Sequence, residues 1–552
     1  MEQSQIKLDL LLETSWEVCN KIGGIYTVLS TKARNLQKSY KDKVIFIGPD
    51  VWTDDNPSPF FKEVKSLLKD WKQQAFFPEG VSVRVGRWEI PGRPIAVLVK
   101  FDGMYRIKDE FYGKMWELYG VDSLHAYGDY DEACAFSHAA ALVGESLVNF
   151  YAPKSTDVVA HFDEWTTGMG LLYTKARLPR VATVFTTHAT SIGRSICGNG
   201  KPLYDRLHNY DGDQMARELN MESKHSLEKA AAINADCFTT VSDITADECE
   251  QLLGRRPDVV TYNGFEKDFV PKGKALTAIR SKARRRMLDV ASALTGVKMP
   301  DDSFIIATSG RCEYRNKGLD MFLDSLDFLR RQNISRHVLA YILVPAWVRD
   351  ARADLADNIG NNITSRLDDP VTTHSLNNPG QDAVLSRIHQ LGFTNSAADR
   401  LTVVYVPCYL NGDDGIFNMT YYDLLSGVDA TVFPSYYEPW GYTPLESVAF
   451  GVPTVTTSLS GFGRWILARS AQGFANSGVA VEQRTDSDYS NVCHNIAADL
   501  LSLINSTPAQ LAEISAAAAR TAGLADWNHF IGLYCRAFDI ALKNAARRLA
   551  GH

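Results

Sequence analysis

The chain has 552 residues and a mass of 61.3 kDa, which excludes a small scaffold held together by disulfides or metal ions. Apolar residues make up 45% and charged residues 22%, as in globular proteins and unlike disordered or fibrous ones. Because 58 Lys and Arg face 65 Asp and Glu, the net charge is −7. The chain therefore lacks the basic excess that binding to nucleic acid or an anionic membrane requires.

Cysteine usage and the N-terminus indicate the compartment. The nine cysteines are scattered and never spaced as CxxC, so neither a zinc knuckle nor a disulfide framework is predicted. The first ten residues lack the basic-then-apolar order of a signal peptide, and the longest apolar run, 338–348, is too short to cross a bilayer. We therefore expect a cytoplasmic protein with no membrane and no nucleic-acid partner.

Short apolar runs alternate with helical patterns along the chain, which is typical of parallel sheets with helical crossovers. A polar stretch with Pro271 and Gly273 interrupts the alternation once. We predict an α/β protein of two doubly wound domains, 1–265 and 266–526. The runs lie at 7–15, 43–51, 157–165, 180–188, 237–242 and 259–264, and then at 303–311, 337–345, 401–410, 430–435 and 453–457.

Four segments fall outside this alternation. Residues 351–399 are largely polar and weakly periodic, and they predict an insertion with helices at about 346–407. The basic run 280–286 lies in a helical pattern and is interpreted as a solvated helix face. An alanine-rich helix is predicted at 509–525, and a C-terminal helix at 527–552 is expected to pack back on the first domain.

Ligands of doubly wound sheets bind beyond the carboxyl ends of the strands, so loops after strands are the candidate sites. After the first strand, Lys21, Gly23 and Gly24 precede a helix, where glycine amides and a lysine suit a phosphate. A tight strand-to-helix turn is the alternative there. Two doubly wound domains that face each other would place a substrate cleft between them. His188 and Arg194 follow a strand and could face that cleft, although a lone histidine is more often structural.

The loop 309–318 carries Arg311, Arg315 and Lys317 between a strand and an amphipathic helix. Three cations in one loop suit the neutralisation of a diphosphate, which indicates a pyrophosphate leaving group. The alternative is a loop whose cations form salt bridges with neighbouring acids.

The segment 433–446 follows another strand and ends in a helical pattern. Thr443 as N-cap, Pro444 at the first helical position and Glu446 three residues after the cap predict a capping box. Glu438 precedes that helix, where a carboxylate and helix-start amides suit sugar hydroxyls beside a phosphate.

Together these stretches resemble the glycogen synthases of the animal and fungal type, glycosyltransferase family 3. The resemblance is carried by ETSWEVCNKIGGIYTVLSTKA, the run around His188 and Arg194, TVSDITADECEQLLGRRPDVVTYNG, SGRCEYRNKG, and SYYEPWGYTPLE with TTSLSGFG. It implies the GT-B fold, in which two Rossmann-like domains face a central cleft. It also implies a retaining enzyme that transfers glucose from UDP-glucose to the non-reducing 4-hydroxyl end of glycogen or another α-1,4-glucan.

Carried over position by position, the resemblance implies the site residues. Arg311 and Lys317 match the basic pair that stabilises departing UDP, and Tyr421 matches an aromatic that stacks on uracil. Lys21 stands where the family tends to have Arg. The catalytic set is Glu438, Arg311, Lys317 and His188, and the substrate-binding set is Lys21, Gly23, Gly24, Arg194, Asn263, Tyr421, Tyr437, Trp440, Gly441, Tyr442, Thr443 and Glu446.

Breaking the sugar–phosphate bond places negative charge on UDP, so preorganised cations stabilise the transition state. Arg311, Lys317 and Lys21 would supply that charge, and no metal or other cofactor is expected. The acceptor hydroxyl would attack from the face that UDP leaves, or Glu438 would form a covalent intermediate; the sequence leaves both open. The DxD motif at 129–131 opens a helix pattern, so its acids are assigned to the helix dipole and not to a metal.

Three departures from the family pattern are visible. Asp163 stands where the family commonly has His in HFHEW. The helical insertion that assembles eukaryotic members into tetramers is shorter here, so that tetramer is not expected, while another homo-oligomer stays open. Arg520 is the only basic residue of 506–526, where eukaryotic members carry an arginine-rich helix that senses glucose 6-phosphate. We therefore expect a bacterial type of enzyme that glucose 6-phosphate does not stimulate.

Two other functions fit the same residues. A GT-B transferase that uses ADP-glucose or another acceptor would show the same phosphate and glucose motifs. A non-catalytic glucan-binding scaffold could use the 10 Trp, 23 Tyr and 25 Phe as stacking surfaces. The presence of Glu438, Glu446, Arg311 and Lys317 favours an enzyme over such a scaffold.

Overall fold

The computed structural model describes residues 6–53, 55–361, 365–469 and 472–551, with the backbone alone at 267, 360 and 361. The chain divides into two compact units. Unit 1 comprises Met1–Glu266 and Asp526–His552, and unit 2 comprises Lys267–Ala525.

Unit 1 contains a nine-stranded sheet. Its strands are β1 (Leu10–Thr14), β2 (Val44–Pro49), β3 (Phe61–Glu63), β4 (Ser82–Trp88), β5 (Ile95–Lys100), β6 (Val158–Asp163), β7 (Ala182–Thr187), β8 (Cys237–Thr240) and β9 (Val259–Val260). Their order in the sheet is β3-β4-β5-β2-β1-β6-β7-β8-β9. The pairs β3–β4 and β4–β5 are antiparallel, and the pairs from β5 to β9 are parallel.

Helices cover the sheet of unit 1. They are α1 (Gly24–Tyr40), α2 (Lys69–Gln74), α3 (Lys108–Tyr119), α4 (Tyr130–Tyr151), α5 (Gly168–Arg177), α6 (Ser191–Gly198), α7 (Gly212–Glu218), α8 (Glu222–Asn234) and α9 (Asp243–Glu248), which continues as a π-helical turn over Cys249–Leu253. The central strands β1, β2, β6 and β7 are buried at every position, as strands covered on both faces are.

Unit 2 contains a six-stranded, all-parallel sheet of order β14-β11-β10-β15-β16-β17, and a separate antiparallel pair, β12 with β13. These strands are β10 (Phe304–Ser309), β11 (Val338–Leu343), β12 (Val348–Ala351), β13 (His374–Leu376), β14 (Leu401–Val406), β15 (Ala430–Phe433), β16 (Thr454–Thr457) and β17 (Val479–Glu482). Alternate residues of β10 join different cores: Phe304 and Ile306 pack with one helix layer, and Ile305 packs with the other.

The helices of unit 2 include those that form the two layers. They are α10 (Lys274–Thr295), α11 (Leu319–Arg330), α12 (Ala353–Asn361), α13 (Ala383–Gln390), α14 (Tyr421–Ser426), α15 (Tyr442–Ala449), α16 (Gly461–Leu467), α17 (Phe474–Ser477), α18 (Tyr489–Ile504) and α19 (Pro508–Leu524). None of the described helices is long and apolar enough to cross a membrane.

The last helix, α20 (Trp527–Leu549), packs on unit 1. Its buried side chains include Trp527, whose indole N–H donates to Thr31 Oγ1 at 2.7 Å. Near its end, Arg548 binds Asp236 Oδ2 at 2.8 Å. The C-terminal segment thus completes the fold of the N-terminal unit.

The predicted fold class is confirmed, because both units are Rossmann-like and every predicted apolar run contains a strand. The solvated basic face predicted at 280–286 is wrong in part. Arg280 and Arg284 bind Asp429 at 3.1 and 2.6 Å, and Arg286 donates to the carbonyl oxygen of Ile416. These three cations of the run therefore contact acidic or carbonyl groups of the protein.

Candidate active site

In unit 2, the loop between β10 and α11 brings a lysine and a glutamate together. Gly318 ends the loop with φ 68°, and a Cβ there would lie 1.9 Å from the carbonyl oxygen of Pro434, so only glycine fits. The neighbouring Lys317 ammonium contacts the Glu438 carboxylate, and the two side chains are 15% and 13% exposed. Strand ends far apart in sequence thus place this ion pair at one point of the unit.

The other cations of this loop lie at the surface. The Arg311 guanidinium is 62% exposed and lies 2.9 Å from Glu313 Oε1, and Arg315 is exposed. The salt bridges expected as an alternative are therefore present for Arg311 and Lys317. Both cations lie beyond the carboxyl end of β10.

Backbone contacts fix the position of Glu438. Its carbonyl oxygen accepts the N–H of Gly461 at 3.0 Å, and the residue pairs with Ser460 as an isolated parallel bridge. Two residues later, the carbonyl oxygen of Trp440 accepts the N–H of Phe462 at 2.7 Å. The sequence segment SLSGFG therefore acts as a backbone support for the acidic loop.

The capping box predicted at Thr443 is wrong. Helix α15 begins at Tyr442 and its N-cap is Gly441, whose φ of 112° a side-chain-bearing residue rarely adopts. Because glycine permits that turn, the helix starts before Thr443, which lies in the first turn. The Glu446 carboxylate accepts the Tyr422 hydroxyl at 2.9 Å instead. Burial, and then the nearby carboxylate, raise the pKa of that tyrosine.

The aromatic residues of unit 2 divide into two kinds. Tyr421 is half-buried at the start of α14, and its hydroxyl lies 2.7 Å from Ser309 Oγ at the end of β10. Tyr437 and Trp440 are 2% and 3% exposed, and Trp440 packs edge-on against Phe462. Tyr421 therefore lies beside the basic loop, whereas Tyr437 and Trp440 are buried supports of the acidic loop.

In unit 1, the loop after β1 contains an acid that the sequence interpretation missed. The Glu17 carboxylate accepts the N–H groups of Gly23 and Tyr26, both at 2.8 Å. A Cβ at Gly23 would lie 3.2 Å from Glu17 Oε1, whereas a Cβ at Gly24 would meet nothing within 4 Å. The amide of Gly23, predicted to contact phosphate, thus faces a carboxylate here, while Lys21 is exposed beside it.

His188 follows β7 and meets Asp163 at the end of β6. Its Nε2 lies 2.8 Å from Asp163 Oδ1, and the side chains are 11% and 1% exposed. Burial opposes ionisation of Asp163, but His161, Lys32 and the hydrogen bond from His188 outweigh it and lower the pKa of the carboxyl. The residue that departs from the family pattern is therefore the direct partner of the predicted catalytic histidine.

Three further buried acids hold the loop that carries His188 and Arg194. Glu228 Oε2 accepts the N–H and hydroxyl of Ser191, and Glu248 Oε2 accepts the Thr190 hydroxyl. Arg194 is half-buried one turn into α6. No local pattern in the sequence marks Glu228 and Glu248, because they lie 37 and 58 positions from Ser191 and Thr190, which they bind.

Glu164 is the third acid, and its backbone is strained. Its φ of 72° with ψ 163° is a conformation that residues other than glycine rarely adopt, at a cost of about 1–3 kcal/mol. Its N–H donates to the Thr186 carbonyl oxygen and its Oε2 accepts the His188 N–H, both at 2.8 Å. Burial, and then Glu228, raise the pKa of Glu164. Such strain is typical of functional sites.

Beneath Asp163 lies a buried charge network. Lys32 Nζ is 2.9 Å from Glu13 Oε2, and both side chains are fully buried. His161 Nδ1 lies 3.1 Å from the same Glu13 oxygen, and the ring of Tyr534 covers Lys32 at 4.5 Å. The network links α1, β1, β6 and α20, so it ties the C-terminal helix to the strand end below His188.

Asn263, predicted as a cleft residue, follows β9. The residue is 4% exposed, yet its Oδ1 makes no hydrogen bond to any residue that the structure describes. A buried carbonyl oxygen without a partner costs about 1–3 kcal/mol, so its presence points to a ligand or bound water.

Two residue sets could hold a metal ion. His374, Cys408 and Asp414 place one ligand atom each within 4.8 Å, as do Glu13, His161 and Asp163. In the first set, His374 Nε2 is bonded to the Asp414 carbonyl oxygen and its Nδ1 to Thr373 Oγ1. In the second set, a lysine already neutralises the glutamate. Internal contacts therefore already engage His374 of the first set and Glu13 of the second.

The DxD motif is a helix start, as predicted. Asp129 is the N-cap of α4 and Asp131 lies in its first turn. Lys224 and Lys108 bind them at 2.5 Å each.

Comparison with known proteins assigns the chain to a family. The family model described as glycogen synthase matches residues 13–369 and 359–548. The liver glycogen [starch] synthase of Mus musculus is 30% identical, covering 97% of this chain and 84% of its own. Glycogen [starch] synthase isoform 2 of Saccharomyces cerevisiae is 32% identical, covering 83% of this chain and 75% of its own.

Solved structures agree on the fold. The catalytic domain of starch synthase IV from Arabidopsis thaliana, solved with ADP and acarbose, has a TM-score of 0.55 at 13% identity and covers 96% of this chain and 99% of its own. Trehalose-6-phosphate synthase OtsA has a TM-score of 0.51 at 11% identity and covers 96% of this chain and 98% of its own. The chain therefore belongs to the glycogen synthase family of glycosyltransferases with the GT-B fold.

Proposed function

We propose that the protein transfers glucose from UDP-glucose to the non-reducing 4-hydroxyl end of glycogen or another α-1,4-glucan, with retention of configuration. The observation that carries the proposal is the Lys317–Glu438 ion pair, with Arg311 in the same loop, at strand ends of a chain in this family. A departing nucleoside diphosphate requires cations that are in place before the bond breaks.

The two cations contribute in different ways. Lys317 is largely buried and held by Glu438, so its ammonium is already oriented when the diphosphate arrives. Arg311 is exposed, and its planar guanidinium can bind two phosphate oxygens at once. Lys21 of unit 1 supplies a further charge, and the proposal requires no metal and no other cofactor.

In the proposed reaction the bond between the anomeric carbon and the phosphate oxygen breaks, and a bond to the acceptor 4-oxygen forms on the same face. The acceptor proton passes to the departing phosphate, so no free carboxylate base is needed. Glu438 acts through its charge and its hold on Lys317, and not as a nucleophile. This role of Glu438 is supported by the contact of its carboxylate with the Lys317 ammonium.

The cytoplasm is the proposed compartment. All nine cysteines lie in the described part of the chain, and no two of them form a disulfide. Proteins of oxidising compartments commonly use such bridges.

Initial rates on glycogen with UDP-glucose and with ADP-glucose test the donor. We expect UDP-glucose to be preferred, and glucose 6-phosphate to leave the rate unchanged because Arg520 is the only basic residue of α19. A preference for ADP-glucose would overturn the donor, and strong stimulation by glucose 6-phosphate would overturn the regulatory prediction.

A variant separates the enzyme from a glucan-binding scaffold. Glu438→Ala should remove turnover while leaving co-sedimentation with glycogen unchanged. Wild-type protein that binds glycogen but shows no turnover would support the scaffold, whereas unchanged turnover in Glu438→Ala would contradict the role proposed for Glu438.

A further inference from the structure

The contact between Asp163 and His188 determines which nitrogen of the imidazole carries its proton. Asp163 is almost fully buried and its pKa is lowered, because the nearby cations outweigh the cost of burial. An ionised carboxylate can only accept hydrogen bonds. The His188 Nε2 that faces it at 2.8 Å must therefore carry a proton.

The other nitrogen of His188 is left for a ligand. Nδ1 makes no hydrogen bond to any residue within the described ranges, whereas Nε2 is bonded to Asp163. In a neutral imidazole with Nε2 protonated, Nδ1 is a hydrogen-bond acceptor. A histidine at position 163, the residue common in the family, would not impose this state, because its ring can both donate and accept.

The residues around His188 restrict the position of its ring as well as the site of its proton. The backbone N–H of His188 is bound by the strained Glu164, so the loop cannot turn freely. Asp163 in turn lies beside the buried network, in which Lys32 Nζ and His161 Nδ1 both contact Glu13 Oε2, at 2.9 and 3.1 Å. The carboxylate is thus charged and immobile in the folded protein.

We propose that Asp163 is a positioning residue that holds His188 with its proton on Nε2, so that Nδ1 accepts a hydrogen bond from a hydroxyl group of the sugar substrate. This inference rests on the proposed function for the identity of the ligand. The state of the imidazole itself does not depend on it, so the two can fail separately.

Nitrogen-15 NMR of histidine-labelled protein tests the imidazole directly. The resonances of His188 among the 12 histidines are assigned by their loss in His188→Gln. We expect a proton on Nε2 and none on Nδ1 in the wild type, and a mixed population in Asp163→Asn, whose amide can turn either its oxygen or its NH2 group toward the ring. A wild-type ring protonated on Nδ1 would overturn the inference, whatever the variant does.

Kinetics supply the second readout. Asp163→Asn should lower kcat/KM at least about tenfold, since histidines held in one protonation pattern by an aspartate lose activity when that hold is removed. The matched control is Asp213→Asn, which removes the carboxylate from another aspartate–histidine pair of unit 1, His225 Nε2 to Asp213 Oδ1 at 2.9 Å. That variant should keep wild-type kcat/KM.

The outcomes are distinguishable. A fall of kcat/KM in Asp163→Asn with an unchanged NMR signature would reduce Asp163 to a structural role and overturn the inference, as would an unchanged kcat/KM. If Asp163→Asn fails to fold, the wild-type spectrum still decides. A wild-type protein that transfers no glucose but shows the Nε2-protonated ring would refute the proposed function and leave the positioning role intact.

Discussion

At the scale of single residues, charge pairing organises both sets of site residues. In unit 2, the cations that face the proposed diphosphate are held by acids of the same unit, Lys317 by Glu438 and Arg311 by Glu313. In unit 1, buried acids hold the histidine loop. The cations are therefore preorganised, which is the condition for electrostatic stabilisation of a transition state.

Removing either cation should slow the reaction. Lys317→Ala and Arg311→Ala are each expected to lower kcat by about 10²–10³-fold, because each removes a charge that stabilises departing UDP in the proposed reaction. Arg285→Ala is the control, since Arg285 is also 62% exposed and pairs with Asp301 away from this loop. Steady-state rates with UDP-glucose decide, and equal rates in Arg311→Ala and Arg285→Ala would contradict the assignment.

Asn263 offers a test of ligand contact against stability. Because its Oδ1 has no partner in the described structure, Asn263→Ala should raise KM by about 5–100-fold with little change in the free energy of unfolding. Asn395→Ala is the contrast, because Asn395 donates to Pro370 and Val403 and accepts from Val403. That variant should lose about 1–3 kcal/mol of stability. A large stability loss in Asn263→Ala with unchanged KM would count against a ligand contact.

The rule that ligands bind beyond strand ends singled out Lys317 and Glu438 as candidates, but their contact could not be read from residues 121 positions apart. No local pattern marked Glu17 or Glu164, since their contacts depend on a folded loop and a strained backbone. Gly441 was a missed signal, because a glycine before a helix pattern can start the helix earlier than a following threonine.

At the scale of elements, most buried parallel strands were predictable, whereas the antiparallel pairs β3–β4 and β12–β13 were not. Strands covered on both faces form continuous apolar runs, as in β10 and β11. The edge strand β3 and its neighbour β4 are partly exposed and antiparallel, so their patterns are weaker. The insertion holds an antiparallel strand pair as well as helices, which its polar composition did not predict.

The packing of α18 on β17 predicts a pH effect on stability. Burial, and then the charge of Glu482, raise the pKa of Asp499 to about 8. The unfolded chain ionises this acid near pH 4 and the folded protein only near pH 8, so its contribution to the free energy of unfolding falls as pH rises between them.

Asp499→Asn removes that penalty. The variant should be about 1 kcal/mol more stable than wild type at pH 8.5 and equal to it below pH 4. Urea unfolding at several pH values measures the difference, with Glu513→Gln, an exposed acid of α19, as control. A variant that gains no stability at high pH would show that Asp499 ionises normally.

At the scale of the whole molecule, the two ends of the chain belong to one unit. Helix α20 contacts α1 and the strands β6 to β9, and its residues Trp527, Phe530, Tyr534 and Phe538 are buried. The C-terminus is therefore part of the fold that carries His188 and Asp163, and not a tail.

Trp527→Ala should consequently destabilise unit 1 by about 3–5 kcal/mol, the usual cost of truncating a buried tryptophan. It also removes the hydrogen bond to Thr31. Trp347→Ala, at a residue 73% exposed in unit 2, should change stability by less than about 0.5 kcal/mol. Denaturant unfolding compares the two, and similar losses would contradict the role given to α20.

The most direct test of the account is the product itself. Wild-type protein is incubated with UDP-glucose labelled with carbon-13 at the anomeric position and an α-1,4-linked glucan oligosaccharide, and the products are followed by NMR. The account predicts one α-configured glucosyl residue on the non-reducing 4-hydroxyl group for each UDP released. Release of free glucose alone, a β-configured product, or no transfer would contradict it.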